Sequence, residues 1–328
     1  MADIIISEEI DGAPIDALES HYEICRGRQL WNSVDELQTE LQTARALVVR
    51  NQTCVTSNLL SGAPQLEIVA RAGVGLDNID VEAASRLGIV VTSTPNANSI
   101  AVAELTLGLM FALARNLIPA HTATAQGTWQ REKFTGIELA GRTLGIVGFG
   151  RIGRLLAIRA RACGMHIAVH DPVLTQTASE IQTHEAEWLP FESLLSAADV
   201  ISCHVPLTAD THHLFDYEQF VAMRQTGFFI NTSRGGVVCE TGLAQALQEG
   251  RLAGAALDVR ETEPPRQGPL EGHENVIHTP HIGAFTQAAQ QRVVESVARD
   301  VQLVLTGQPA AEYVNFDRPR SRKTAKHW

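Results

Sequence analysis

Three side chains in the second half of the chain could together support hydride transfer coupled to proton transfer. Arg234 follows the run "FFINTS" and precedes Gly235 and Gly236, Glu263 lies in "LDVRETEPP" five residues after Asp258, and His281 lies in "HTPHIGA". Each comes just beyond a strand-like run. Hydride loss from a 2-hydroxy acid needs an acceptor for the hydroxyl proton and a fixed cation for the carboxylate. Histidine suits the first role because its ordinary pKa, roughly 6.5, lies near operating pH. A glutamate bonded to the far ring nitrogen would fix the tautomer and favour the imidazolium. Arginine suits the second role, since its fork can bind both carboxylate oxygens. Taken singly, each residue also has a plainer reading: a loop histidine, a phosphate contact, a solvated loop acid.

Such a trio needs a scaffold that holds a hydride acceptor beside it, and "TLGIVGFGRIGRLLAIRARACGMHIAVHDP", from Thr143 to Pro172, reads as one. Leu144, Ile146 and Val147 suit a buried parallel strand, and Gly148, Gly150 and Gly153 follow in the pattern G-x-G-x-x-G. The first glycine permits a tight turn, the second lets a pyrophosphate approach the backbone, and the third lets the helix starting near Arg151 pack close to the strand. The helix N-terminus offers N–H groups to the anion. His166 to His170 reads as the next strand, closed by Asp171, whose carboxylate can accept from an adenosine ribose and would repel a 2′-phosphate. The cofactor expected is therefore NAD rather than NADP.

A chain of 328 residues is comfortable for two domains. Its net charge of −11 argues against a nucleic-acid surface. No apolar run is long enough to span a membrane, and "MADIIISEEIDGAP" carries acids where a secretory signal would carry lysines or arginines. A cytoplasmic location is expected. The five cysteines are scattered without a C-x-x-C and read as reduced. The histidines form no H-E-x-x-H, and His212 and His213, being adjacent, should point apart, so no metal site is expected.

Strand-like and helix-like runs alternate almost throughout, which argues for parallel α/β architecture. Early strand-like runs are Ile4 to Ile6, Ala46 to Val49, Leu66 to Ala70 and Ile89 to Val91. A long helix is expected from Ser99, its plausible N-cap, and a last amphipathic helix over 286–306. Because the glycine unit begins mid-chain, the simplest arrangement has two doubly wound domains. A dinucleotide-binding domain of Rossmann type, 99–285, is inserted into a flavodoxin-like substrate domain, 1–98 with 286–316. Residues 317–328 read as a basic, disordered tail.

The sequence resembles the D-isomer-specific 2-hydroxyacid dehydrogenases, and within them most of all the members that act on 3-phosphoglycerate. The stretches that carry the resemblance are "RAGVGLDNID", "TPNANSIAVAEL", "LAGRTLGIVGFGRIGR", "NTSRGGVV", "AGAALDV", "EPP" and "ENVIHTPHIGA". By that resemblance the catalytic arginine, glutamate and histidine fall on Arg234, Glu263 and His281. Cofactor contacts fall on Gly148, Gly150, Arg151, Ile152, Gly153, Arg154, Asp171, Pro206, Thr232, Asp258, His281, Gly283 and Ala284. Substrate contacts fall on Arg50, Arg71, Ala72, Gly73, Val74, Asn96, Ser99, Arg131, Arg234 and His281. Of these, Arg50, Arg71 and Arg131 match a cation cluster that receives a second anionic group. The resemblance also implies a homodimer, or two such dimers associated, with the helix from Ser99 at the interface.

Two departures stand out. Val74 occupies a position where the 3-phosphoglycerate enzymes usually have threonine, and the chain ends soon after its last helix, so control by serine through C-terminal regulatory domains is not expected. The same arginines would suit another dianion such as 3-sulfolactate, and the same fold serves glycerate, hydroxypyruvate or lactate. An NADH-sensing corepressor is the reading from a different functional class.

Overall fold

The computed structural model describes residues 2–320. They form two compact units, one running to Asn98 and resuming at Thr286, the other spanning Ser99–Phe285.

In the first unit β1 (Ile4–Ile6), β2 (Ile24–Arg26), β3 (Ala46–Val49), β4 (Ile68–Arg71) and β5 (Val90–Thr92) form a parallel sheet ordered β2-β1-β3-β4-β5. The runs are apolar without alternation because both faces are covered. Ile4 and Ile6 join one buried cluster and Ile5 the opposite one; Ala46 and Val48 face the first, Leu47 and Val49 the second. The helix Gln287–Leu305 covers one face with Val293, Val294, Val297, Val301 and Val304. Its start is fixed by Thr286, whose side chain accepts from the Ala289 N–H.

The second unit holds a seven-stranded parallel sheet ordered β12-β11-β10-β9-β6-β7-β8. Its strands are β6 (Thr143–Val147), β7 (His166–His170), β8 (Glu187–Trp188), β9 (Val200–Cys203), β10 (Phe228–Asn231), β11 (Gly254–Leu257) and β12 (Val276–His278). Alternation again splits the core, with Leu144, Ile146, Val200 and Ile230 on one face and Val147, Ile201, Cys203 and Phe229 on the other. The helices Ser99–Ala114 and Arg151–Ala162 seal the first face through Met110 and Leu113 and through Leu156 and Ala160. The α/β class with two doubly wound parallel sheets is as expected.

Several details differ from the sequence reading. The short edge strands β2 and β8 have no strong apolar run and were not anticipated. Ser99 is the first residue of its helix rather than its cap, and a further helix, Leu117–Ala125, follows Asn116 at φ 51°. His212 and His213 do not point apart: His213 at φ 52° reverses the chain, and the two rings stack with centroids 4.0 Å apart. Residues 317–320, expected to be unpacked, are held in place. The Ala310 N–H donates to the Asp317 carbonyl, the Arg320 N–H donates to the Gly88 carbonyl, and the Arg320 guanidinium lies 4.2 Å from the Phe316 ring centre. The rest of the expected tail, 321–328, lies outside the described residues.

Candidate active site

β10, β11 and β12 are neighbours in one parallel sheet, with Asn231 opposite Leu257 and Leu257 opposite His278. Their C-terminal loops therefore leave the sheet at one level, the usual place for ligands in such sheets. Those three loops carry Arg234, Glu263 and His281.

The first loop is shaped by Asn231, a buried side chain at the end of β10. Its amide donates to the Arg234 carbonyl at 2.8 Å, and its oxygen accepts from the Ser233 N–H and hydroxyl at 3.0 and 2.7 Å. The Arg234 guanidinium donates to the Ser233 carbonyl at 2.7 Å. A Cβ on Gly235 would fall 1.8 Å from the Arg260 carbonyl oxygen, so the arginine loop presses directly on the loop after β11.

That second loop starts at Asp258, which is almost fully buried. One carboxylate oxygen accepts from the Thr279 hydroxyl at 2.6 Å and the Ile282 N–H at 2.8 Å; the other accepts from the Gly283 N–H at 2.8 Å. The Asp258 carbonyl takes the His281 N–H at 2.8 Å. Asp258, expected as a cofactor contact, thus holds the histidine loop, and His281 itself adopts φ 54°. Further along, Arg260 grips Glu240 through two contacts of 2.8 Å and reaches Glu271 at 2.8 Å.

Glu263 Oε2 lies 2.7 Å from His281 Nδ1, while Glu263 Oε1 accepts from the Arg260 N–H at 3.0 Å. Burial pushes the Glu263 carboxyl up, but the His281 hydrogen bond, the Arg260 N–H and the charges of His281 and Arg234 outweigh it and hold it below the usual glutamate range. An ionised Glu263 only accepts, so Nδ1 carries the proton in the pair and Nε2 is left for a ligand.

The glycine turn after β6 has the shape a dinucleotide requires. Gly148 sits at φ 92°, where a Cβ would also strike the His204 backbone at 2.8 Å. A Cβ on Gly153 would meet the Gly148 carbonyl at 2.5 Å, whereas one on Gly150 meets nothing within 4 Å. The helix Arg151–Ala162 thus packs tightly on the strand while its N-terminus keeps open space in front of Gly150. Arg151 is exposed and Ile152 half-buried in its first turn. Arg154 bonds the Gly150 carbonyl at 3.3 Å and lies 3.9 Å from Glu180. Asp171 closes β7, and its two oxygens accept the Phe149 and Val173 N–H groups at 2.8 and 2.9 Å. Each oxygen keeps a second lone pair for a ribose hydroxyl. Pro206 is exposed beyond β9, while the Thr232 hydroxyl is engaged by Thr106 at 3.0 Å. Gly283 and Ala284 continue the histidine loop. The residues present fit NAD.

Among the expected substrate contacts, Arg50 and Arg71 lie at the ends of the adjacent strands β3 and β4. Arg50 donates to Gln290 at 2.6 Å, and burial pushes its guanidinium below the usual range against the charges of Glu8 and Glu9. Arg71 bonds Asn78 at 3.4 Å and folds over Gly73, where a Cβ would fall 1.8 Å from its Nη1. Ala72 is buried, Val74 is exposed, and Asn96 lies in the turn after β5, whose Thr94 N–H donates to the Gly73 carbonyl at 2.9 Å. Ser99 and Arg131 belong to the other unit, Ser99 buried and Arg131 exposed.

Four organising residues escaped the sequence reading. Asn231 and Glu240 fix the loops that carry Arg234 and Glu263, and Thr106 holds Thr232. Buried Glu8 gathers the N–H groups of Arg50, Asn51, Gln52 and Thr53. An acid two residues after the apolar run of β1 was the available signal for Glu8. No described group of three or more His, Cys, Asp or Glu could hold a metal. No single described helix is long and apolar enough to cross a membrane.

Residues 107–283 match the family model of the D-isomer specific 2-hydroxyacid dehydrogenase, NAD binding domain. The chain is 41% identical to D-3-phosphoglycerate dehydrogenase of Methanocaldococcus jannaschii over 99% of its own length, and spans 62% of that relative. Among solved structures, the TT0316 protein of Thermus thermophilus superposes with a TM-score of 0.88 at 34% identity, covering 95% of this chain and 99% of the other. D-Lactate dehydrogenase from Aquifex aeolicus, complexed with NAD and lactic acid, gives 0.85 at 29% identity, covering 95% and 98%. With the glycine turn, the acid after β7 and the paired histidine and glutamate on neighbouring strand ends, these similarities settle the assignment: the chain belongs to the D-isomer specific 2-hydroxyacid dehydrogenase family and carries its NAD-binding domain.

Proposed function

We propose that the protein oxidises D-3-phosphoglycerate at C2, and reduces 3-phosphohydroxypyruvate in reverse, with NAD as cofactor. The observation that carries this reading is the convergence of Arg234, Glu263 and His281 on three adjacent strand ends, with Glu263 2.7 Å from His281. NAD, when bound, supplies the hydride acceptor. His281 Nε2 takes the hydroxyl proton, Glu263 fixes Nδ1–H and favours the resulting imidazolium, and Arg234 pairs with the substrate carboxylate and polarises the C2 oxygen.

The second anionic group rests on Arg50 and Arg71, at the ends of the adjacent strands β3 and β4. The name of the Methanocaldococcus jannaschii relative supports the phosphoglycerate choice. Exposed Ile100, Phe111, Leu117 and Ile118 on the helices Ser99–Ala114 and Leu117–Ala125 form the homodimer face. Five unbridged cysteines accord with a reducing cytoplasm.

The test is NADH oxidation with 3-phosphohydroxypyruvate, 3-sulfopyruvate, hydroxypyruvate and pyruvate, compared by kcat/KM. A large preference for the phosphorylated acid is expected. A preference for another acid would overturn the substrate while keeping the three roles, and activity with none would overturn the enzyme reading. His281→Ala should lower kcat by roughly 100-fold or more with NADH affinity nearly unchanged.

A further inference from the structure

We propose that His213 and Glu261, outside the catalytic trio, form a positioning pair that holds the Arg234 and Glu263 loops against each other. The proposal rests on the dehydrogenase reading for the meaning of those loops. Its structural content can be tested without it.

Two contacts converge on His213. Its ring Nε2 meets Glu261 Oε1 at 2.5 Å, and its N–H donates to the Gly236 carbonyl at 2.9 Å. The next residues extend that pairing, with the Phe215 N–H on the Val237 carbonyl at 3.1 Å and the Cys239 N–H on the Phe215 carbonyl at 2.9 Å. The backbone after Arg234 is therefore laid along the segment that begins with His213.

Glu261 sits two residues before Glu263. Its N–H donates to Glu240 Oε1 at 2.9 Å, so the residue is oriented from both its backbone and its carboxylate. Gly235 presses on the Arg260 carbonyl between the two loops. The histidine ring thus ties one catalytic loop to the other at the point where they touch.

Two features argue for positioning rather than bulk stability. His213 is one of four non-glycine residues at positive φ among the described residues; another is His281 itself. Left-handed backbone at a residue with a Cβ is retained where the surroundings impose it, and it gathers at functional sites. In addition, the His213 and Glu261 side chains are 35% and 33% exposed, and a polar side-chain contact that wet adds little to global stability. A small displacement of catalytic groups, by contrast, is costly, about 100-fold for 1 Å. The titratable and charged groups facing the His213 ring are Glu261 and, stacked on it, His212; Glu240 and Arg260 lie behind Glu261.

The variants are His213→Gly, which keeps the left-handed backbone and removes the ring, Glu261→Ala, Glu261→Gln, and the double variant H213G/E261A, all in the full chain. Hydrogen exchange at residues 233–237 and 259–264 should accelerate about tenfold in His213→Gly and Glu261→Ala, with little change elsewhere. Unchanged protection of both loops would overturn the pair whatever the activity. With 3-phosphohydroxypyruvate and NADH, the same two variants should lose about tenfold in kcat while NADH affinity stays within about twofold. Glu261→Gln, which still accepts a hydrogen bond, should keep most of the rate, and the double variant should be no worse than the poorer single one. A kcat/KM within about twofold of wild type in both single variants, or a loss that tracks melting of the whole protein, would refute the positioning role. A wild-type protein inactive on every acid offered would instead refute the dehydrogenase reading, leaving the exchange result to decide the pair.

Discussion

Glu263→Gln isolates the charge of the carboxylate from its shape. Opposite unit charges about 4 Å apart attract by about 4 kcal/mol at an effective dielectric of 20 and about 1 kcal/mol in water. Glu263 and His281 are 34% and 42% exposed, so the value here lies towards the lower figure, about 1–2 kcal/mol. In the proposed reduction of the 2-oxo acid, His281 delivers a proton while Glu263 holds its Nδ1–H. Removing the neighbouring charge should lower kcat/KM for reduction about tenfold. The wild-type pair survives acidification well because Glu263 is held below the usual range. A lowered folded-state value means that its ionised form stabilises the fold fully above about pH 4.3, and that this contribution is lost only as pH falls through the depressed value. The assay is kcat/KM for reduction from pH 5 to 9, with NADH affinity measured in parallel. An unchanged kcat/KM, or a change confined to NADH affinity, would refute the assigned roles.

Gly153→Ala should force the helix Arg151–Ala162 away from β6, because the new Cβ would lie 2.5 Å from the Gly148 carbonyl. A cost of about 1–3 kcal/mol is expected, read as a lower melting temperature together with weaker NADH binding in titration calorimetry. Asp258→Asn must turn an amide N–H toward one of three donors, so a loss of about 1–3 kcal/mol in denaturant unfolding and a fall in kcat should accompany each other; retained kcat would separate Asp258 from His281. Burial pushes the His204 imidazole down to about 4, so between that value and about 6.5 the unfolded chain binds a proton that the folded chain does not. Stability should fall by about 2 kcal/mol from pH 7 to pH 5, and His204→Gln should flatten that slope in denaturant titrations.

Most of the architecture was legible because each long strand buries both faces and each long helix buries one, and such segments write continuous or periodic apolar runs. β6 and β7 with the helix between them emerged with their boundaries nearly intact. The elements that were missed satisfy weaker constraints. β8 contributes two residues at a sheet edge, and β2 is only half-buried, so neither needs a distinctive run. His212 and His213 were misjudged because a positive φ at a histidine has no pattern in a single sequence, and one such residue reverses where the next side chain points.

The site was legible in a different way. Arg234, Glu263 and His281 could be named because the chemistry restricts the residue types and parallel sheets restrict the place. What could not be read was the division of labour behind them. Asp258 has the type and position of a ligand contact, yet its carboxylate is filled by Thr279, Ile282 and Gly283. A buried carboxylate facing two N–H donors and a hydroxyl is well satisfied and gains little from a further partner. Its role is therefore geometric: it fixes the left-handed turn that sets His281 against Glu263. Asn231 does the same for Arg234, and Glu240 for the loop that carries Glu263. Each side chain of the proposed trio is thus held by a buried polar residue: at the end of its own strand for Arg234, just after the neighbouring strand for His281, and at the start of a helix for the loop that carries Glu263. That residue is visible only once the backbone donors around it are known.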